Sequence, residues 1–428
     1  MLRKAILLLL IFSAVFFTHL KSRVTNFTDS RWTIHQAMSL IKEGKLTLDQ
    51  YAGLVAPDDY RVYRKDGHVL SIYPAGTTLL ILPIVFISDK ALKFCCHFDL
   101  YDYLKNNAPT TESIVPLLEK LISSAIVALT AVFIFLISRL FLSVPKSLLL
   151  AFIFSFCTSA WSTASRSLWQ HGPIMLMLAG AIFYLLRYGP KGLLVAYPAL
   201  LFSCLIRPTS IIFLFGLFLY TAFTYRKRLP KGFLLLAVMF IPLVRLLIDK
   251  DFSYSYGNFF DPKVIFSQFF SLKYLGVLVS YLISPNRGLL VFSPILLFSF
   301  YGVFIKLKMK DFHAIDWLLL GIILAHFFVT LAFDYGYWGG HSFGPRYFTD
   351  IIPCLIYFLI PALNRLSALR GWKRVLFSSS FVFLMMFSFF VHFRGANIDG
   401  TWLWNIYPVD IHSSLSRAWD WQDMQFLR

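Results

Sequence analysis

Four arginines stand one to a turn between apolar runs of this 428-residue chain: Arg166 in "ASRSLWQHGP", Arg207 in "CLIRPTS", Arg287 in "LISPNRGLLVFSP" and Arg346 in "GGHSFGPRYFTD". A guanidinium presents a planar fork of donors that matches two phosphate oxygens, and the glycines beside Arg287 and Arg346 let backbone amides approach the same anion. A solitary interfacial arginine is also a common headgroup anchor, so each one alone fits either role. Together, with His171, Asn286 and His341 in the same turns, they predict one anion site, because ionisable groups are expensive at membrane depth and are kept there for function. Arg346 is then the counter-charge of an anionic lipid headgroup, and His341 either bridges to that anion or caps a helix end.

The elements that must position these side chains are membrane helices. The chain is 58% hydrophobic and 14% charged, with a mean hydropathy of +0.67, a balance that excludes a soluble domain of this length and implies an all-α polytopic membrane protein. The excess of 40 Lys and Arg over 22 Asp and Glu, a net +18, reads as cytoplasmic basic turns and affinity for membrane lipids, with no nucleic-acid partner implied. Five cysteines form no disulfide or zinc pattern; only the Cys95-Cys96 pair lies outside an apolar run. No metal ligand set is expected on that ground. The N-terminal "MLRKAILLLLIFSAVFFTHLKS" has a basic start and no small-x-small cleavage site, so it reads as a retained anchor with a cytoplasmic N-terminus.

Apolar runs bounded by charge place about eleven spans, at roughly 5–20, 116–138, 148–164, 173–187, 193–206, 209–225, 233–249, 289–305, 313–333, 348–363 and 375–392. Basic clusters such as Arg139/Lys146, Arg187/Lys191, Lys306/Lys308/Lys310 and Arg365/Arg370/Lys373/Arg374 fall in every second turn. Residues 193–224 as one helix would be roughly 48 Å long against a core of about 30 Å, so the run must break, and Arg207-Pro208 is the point. The stretches 73–92 and 274–285 are set aside as interfacial helices, since counting either as a crossing would invert the basic-turn pattern. The result is one integral domain, 1–428, with a first outer loop at 21–115, a second outer segment at about 250–288 and an aromatic outer tail at 393–428. No repeat or low-complexity linker divides it.

The first outer loop carries its own signals. Ile34, Ala37, Met38 and Ile41 follow helical spacing with Gly44 as a stop, and Asp66-Gly67 between alternating runs predicts a two-residue hairpin turn. Asp29, just before that helix, is either its N-cap or a catalytic carboxylate. Asn26-Phe27-Thr28 fits a glycosylation acceptor pattern. Trp402, Trp404, Trp419 and Trp421 in the tail read as an interfacial lid, or as a surface on which a sugar stacks.

Four pieces, "TDSRW" (Asp29), "YPAGTTLLILP" (Tyr73 to Pro83), "SPNRGLLVFSP" (Ser284 to Pro294) and "WGGHSFGPRY" (Trp338 to Tyr347), together with the layout of the chain, resemble bacterial membrane glycosyltransferases of the GT-C fold. These are relatives of the protein O-mannosyltransferases and the lipid A aminoarabinose transferases. The resemblance covers most of the chain in layout and about forty residues in motif. It implies inverting transfer from a polyprenyl-phosphate sugar donor to a glycan, lipid or protein acceptor, at the outer face of a bacterial inner membrane. It assigns the general base to Asp29 and puts Tyr73 in the substrate site; from the residues singled out above, Arg346, Arg287 and Arg207 are the candidate cations for the leaving lipid phosphate, with His341, His171 and Asn286 beside them. Many relatives carry an acidic pair where this chain has Asp29-Ser30, so a divalent metal cofactor is not supported by that motif. Asp58, Asp59 and Asp66 are the less favoured carboxylates. A transporter or flippase of lipid-linked sugars would share the basic outer site but calls for internal repeats and midplane polar groups, and neither is evident. A scaffold would need no converging arginines.

Overall fold

The computed structural model describes residues 2–226, 272–333 and 339–428. The expected span at 233–249, Asp334, Trp338 and most of the second outer segment lie outside the described residues. Those described are mostly helical. Among the described residues five runs are long and apolar enough to cross a bilayer: Leu2–Lys21 (α1), Ile114–Ser138, His171–Ile206, Arg346–Leu366 and Gly371–Asn397. Shorter apolar helices lie at Val144–Phe156, Pro208–Thr224 and Ala314–Thr330. Helices of this length and composition are those of an integral membrane protein, because such a helix satisfies its own backbone groups within lipid.

After α1 the chain enters its long first loop. Helix α2 (Thr33–Glu43) buries Ile34, Ala37 and Met38 and ends where Gly44 turns left-handed at φ +69°, as the spacing predicts. Strands β1 (Val62–Lys65) and β2 (His68–Ser71) pair antiparallel with Lys65 opposite His68, so Asp66 and Gly67 form the two-residue turn with φ +50° and +80°. Helix α3 (Gly76–Cys96), holding Cys95 and Cys96 at its exposed end, and α4 (Leu100–Asn106) complete the loop. These pieces share an apolar core of their own, including Trp32, Ile34, Met38, Tyr51, Val85 and Leu104, which rests on Val115, Ile122 and Ile126.

Those three belong to α5 (Ile114–Ser138), the first long helix after the loop. It is followed by α6 (Val144–Phe156), α7 (His171–Tyr188), α8 (Leu193–Ile206) and α9 (Ile211–Thr224). The 36-residue apolar run folds back at Gly189–Gly192: Gln170 at its start donates to the carbonyl of Ile206 at its end, at 2.6 Å. A straight helix of that length would separate the two by roughly 50 Å, so α7 and α8 form a hairpin. The break at Arg207-Pro208 is also present, with Arg207 extended between α8 and a short 3-10 turn.

Among the described residues the remaining helices longer than one turn are α10 (Leu272–Ile283), α11 (Leu297–Lys308), α12 (Ala314–Phe333), α13 (Ile352–Ala368) and α14 (Gly371–Asn397). Two expected spans are interrupted. The run 148–164 stops its α-helix at Phe156 and continues as a π turn at Ala160–Ala164, and 289–305 is broken at Ser293-Pro294, where proline cannot donate to the preceding turn. Phe141, Leu186, Lys306, His313 and Arg365 border one cavity at the end of the bundle reached by the C-termini of α5 and α7, so four of the basic turns meet there. The turns holding Trp169, Arg207 and Arg346 meet at the other end, beneath the first loop.

Candidate functional site

The cavity between the core of the first loop and the helices holds about 170 Å³ and is bordered by Asp29, Gln36, Tyr73, Trp169, His171, Arg207, Arg346 and Tyr347, among others. Two local features assemble it. Gly76 opens α3 against the backbone of Leu205 and Ile206, where a β-carbon would collide with the Leu205 carbonyl. That approach brings Tyr73 and Pro74 to the end of α8, beside Arg207. Gly344 has φ +61° and occupies space that a β-carbon would share with the Phe292 ring; the left-handed turn it permits leads through Pro345 into the 3-10 turn Arg346–Ile351.

At the centre, Arg346 Nη1 donates to Asp29 Oδ2 at 2.9 Å, joining residues 317 positions apart in sequence. Tyr60 donates its hydroxyl to Asp29 Oδ1 at 2.8 Å. Asp29 therefore is not the N-cap of α2, whose capping position is Trp32. Burial alone would raise the Asp29 carboxyl, but the Arg346 charge and hydrogen bonds from Tyr60, Arg346 and Tyr73 more than offset it and hold it below the usual carboxylate range. The Arg346 guanidinium lies between the rings of Trp169, at 4.8 Å, and Tyr347, at 5.1 Å. Its Nε is buried with no hydrogen-bond partner among the described residues, so a donor remains for a ligand.

A second ionic group lies alongside. Arg207 Nη1 donates to Asp350 Oδ2 at 2.9 Å, and His171 Nδ1 lies 2.6 Å from Asp350 Oδ1. A carboxylate only accepts, so His171 carries its proton on Nδ1 and presents Nε2 on the far side of the ring. The 3.3 Å approach of Arg207 to that same Nδ1 is then a contact between two donors and not a bond. Arg207 also stacks over Tyr347, at 5.1 Å.

Five of the residues singled out in the sequence thus border one cavity: Asp29, Tyr73, His171, Arg207 and Arg346. The others do not. Arg287 is fully buried and donates to the Asn286 and Gly340 carbonyls, Gln425 Oε1 and Asn405 Oδ1, with its guanidinium over Trp404 at 5.1 Å. Asn286 donates to the carbonyls of Arg417 and Asp420 and accepts from the Gln425 backbone. Both fasten the C-terminal tail. Arg166 is likewise buried on the carbonyls of Trp161, Val24 and His19. His341 Nε2 lies 2.9 Å from Asp410 Oδ2 in the tail, so it is not at the Arg346 anion position. Of the four arginines expected to converge, Arg166 and Arg287 do not border the cavity, and two, Arg207 and Arg346, do. Each of those two already faces a carboxylate, which makes the cavity less electropositive than the sequence suggests.

Other readings resolve as well. Asp59 holds Trp32 Nε1 and Arg61, Asp66 makes the hairpin turn, and Asn26 is buried with its amide toward the Ser162 carbonyl, which excludes it as a glycosylation acceptor in the folded chain. Trp404 is enclosed in the tail between Arg287 and Arg417, whereas Trp419 and Trp421 are exposed. Residues the sequence did not single out are Tyr60, Trp169 and Glu119. The Glu119 carboxylate, buried on α5, accepts from Ser30 Oγ at 2.5 Å and from the Leu168 amide at 3.3 Å, tying the Asp29 segment to the Trp169 turn. A lone glutamate in the apolar opening of α5 was the available signal.

Chemically, the cavity offers an ionised carboxylate, two guanidiniums and an imidazole within a half-enclosed space, enough to bind an anion and accept a proton beside it. No protein-family model and no curated protein matches this chain.

Proposed function

We propose that the chain is an inverting membrane glycosyltransferase that moves a sugar from a polyprenyl-phosphate donor to a hydroxyl acceptor, with the cavity on the outer side of a bacterial inner membrane and the N-terminus in the cytoplasm. About eleven spans and a cytoplasmic face at the basic turns belong to the same proposal; the meeting of four of those turns at the end away from the cavity supports it. The observation that carries the reading is the Asp29–Arg346 pair in a cavity bordered by a second arginine and Tyr73.

In the proposed reaction, the bond between the anomeric carbon and the lipid phosphate oxygen breaks while the acceptor oxygen bonds to that carbon from the opposite face. The phosphate leaves with the electron pair, and the acceptor proton passes to Asp29. Arg346 and Arg207 stabilise the charge that grows on the phosphate, an electrostatic contribution of several kcal/mol when the donors are already in place. A carboxylate held below its ordinary range is a weak base, so its proton transfer follows bond cleavage, when the attacking hydroxyl has become acidic. Donor phosphate also competes with Asp29 for Arg346, and that exchange frees the carboxylate for the acceptor. Stacking on Trp169 and Tyr347 holds the guanidinium in place while its partner changes.

The test is membranes containing the protein, incubated with labelled polyprenyl-phosphate sugars and their own acceptors. Protein-dependent release of free polyprenyl phosphate that Asp29→Asn abolishes is the expected result. Release that is unchanged in Asp29→Asn removes the base assignment. Movement of intact donor between leaflets without cleavage replaces the transferase with a flippase.

A further inference from the structure

The His341 side chain, taken out of the anion site, enters a different group. His341 comes from the glycine-rich loop before Arg346, while Asp410 and His412 come from the tail, and one ligand atom from each lies within 4.8 Å of the others. Their rings and carboxylate form a compact unit: His341 Nε2 is 2.9 Å from Asp410 Oδ2, and the two imidazole centroids are 4.8 Å apart. We propose that His341, Asp410 and His412 form a binding site for a divalent ion of the zinc type, with an open coordination position toward solvent.

Three features support a ligand set over a chance cluster. Two imidazoles and one carboxylate are the donor set of open zinc sites, in which water takes the remaining position. The two oxygens of Asp410 have separate partners: Oδ1 accepts the His412 backbone N–H at 2.9 Å, which fixes the carboxylate, and Oδ2 faces His341. An outer hydrogen bond of this kind is how metal-ligating carboxylates are oriented. Finally, the loop makes room for the ring. Gly340 has φ +59°, and a β-carbon there would lie 3.3 Å from His412 Cε1, so the left-handed glycine is what lets the tail imidazole lie on the loop backbone.

Metal–nitrogen and metal–oxygen bonds near 2.1 Å put tetrahedral ligand atoms roughly 3.4 Å apart. The His341–Asp410 pair is already inside that spacing, so closure requires only that His412 swing inward. His412 is exposed and its ring already lies beside that of His341, with centroids 4.8 Å apart, so the inward movement is short. Two guanidiniums lie close by, Arg346 and Arg287, the second on the Gly340 carbonyl; the charge of Arg346 is opposed by Asp29, which lowers the repulsion that a bound cation would meet from it. Occupied, the site would pin the tail to the loop five residues before Arg346, and it owes nothing to the proposed transfer chemistry.

The experiment uses the full chain in detergent, with any affinity tag removed and metal stripped by chelation, titrated with Co²⁺ as a spectroscopic stand-in and then with Zn²⁺ in competition. The expected result is one equivalent of Co²⁺ with visible ligand-field bands that Zn²⁺ displaces. Affinity should fall by more than about a hundredfold in His412→Ala and in Asp410→Asn. His412→Ala removes an exposed side chain, so its melting temperature without metal should match that of the unaltered protein. Absence of stoichiometric binding overturns the proposal. So does binding that survives intact in the His341→Ala, His412→Ala double variant.

Discussion

The cavity and the tail are both built around arginines on short turns, and they use them in opposite ways. Arg346 and Arg207 each face one carboxylate, lie on aromatic rings and border open space. Arg287 instead donates to carbonyl and amide oxygens on several segments and is enclosed against Trp404. A carboxylate partner can be exchanged for another anion with little change in the protein, because the guanidinium keeps a charged acceptor throughout. A set of backbone and amide acceptors converging from the loop and the tail cannot be exchanged without separating those segments. What distinguishes a ligand-binding arginine from a fastening one is therefore the kind of partner it holds in the empty protein.

Replacing one arginine in each region gives the largest test of that contrast. Arg346→Ala should lower transfer by about 100- to 1000-fold, the scale seen when a preorganised donor is removed from a developing oxyanion. Melting should change little, because Asp29 is 24% exposed and water can solvate it. Arg287→Ala should do the reverse. It strands buried acceptors on Gly340, Asn405 and Gln425, a loss on the order of 3 kcal/mol, and activity per folded molecule should stay within a few-fold. Equal effects of both substitutions on melting and turnover would erase the distinction.

The two regions also differ in how far the sequence exposes them. Local chemistry was readable: Gly44 ends α2, Asp66-Gly67 turns the hairpin and Arg207-Pro208 breaks the run between α8 and α9. Each depends on a residue and its immediate neighbours. Of the five cavity residues, His171, Arg207 and Arg346 were named because their types are conspicuous between apolar runs, Asp29 for its place just before a helix, and Tyr73 from the family resemblance alone. Which arginine would meet a carboxylate was not readable, since Asp29 and Arg346 are brought together by the packing of whole helices. The tail misled for the same reason. A glycine next to an arginine suggested an anion cradle at Arg287, but its acceptors come from Asn405 and Gln425, more than a hundred residues on. The interrupted helices at Phe156 and Ser293 were hidden because hydropathy does not register a π turn or a 3-10 turn within an apolar run.

A smaller effect is expected from the contact that sets the first loop on the helices. Gly76→Val places a branched side chain against the backbone of Leu205 and Ile206, a region that cannot yield as a flexible side chain would. Overpacking of this kind costs about 1–3 kcal/mol. Tyr73 and Arg207 sit on the two sides of that contact, so turnover should fall about tenfold or more, whereas the tail, which does not share it, should keep its protection from proteolysis. Loss of tail protection in Gly76→Val would show that the two regions are mechanically one.

The finest distinction concerns the charge on Asp29 itself. Its carboxyl lies below the ordinary value of about 3.9 because Arg346 and the hydroxyls of Tyr60 and Tyr73 favour the ionised form against the cost of burial. If the base must be ionised, activity is present above the folded-state value and lost as pH falls through it, so the acidic limb of kcat/KM should lie below the ordinary aspartate range. Tyr60→Phe removes one donor to Asp29 Oδ1 and leaves Arg346 in place. The ionised form then loses support, the carboxyl titrates at higher pH, and the acidic limb should move up while the plateau rate changes little. The same measurement on Asn286→Ala, a tail residue, should leave the limb where it was. A limb that shifts in Asn286→Ala, or stays fixed in Tyr60→Phe, would mean that the titrating group on which turnover depends is not the carboxylate beside Arg346.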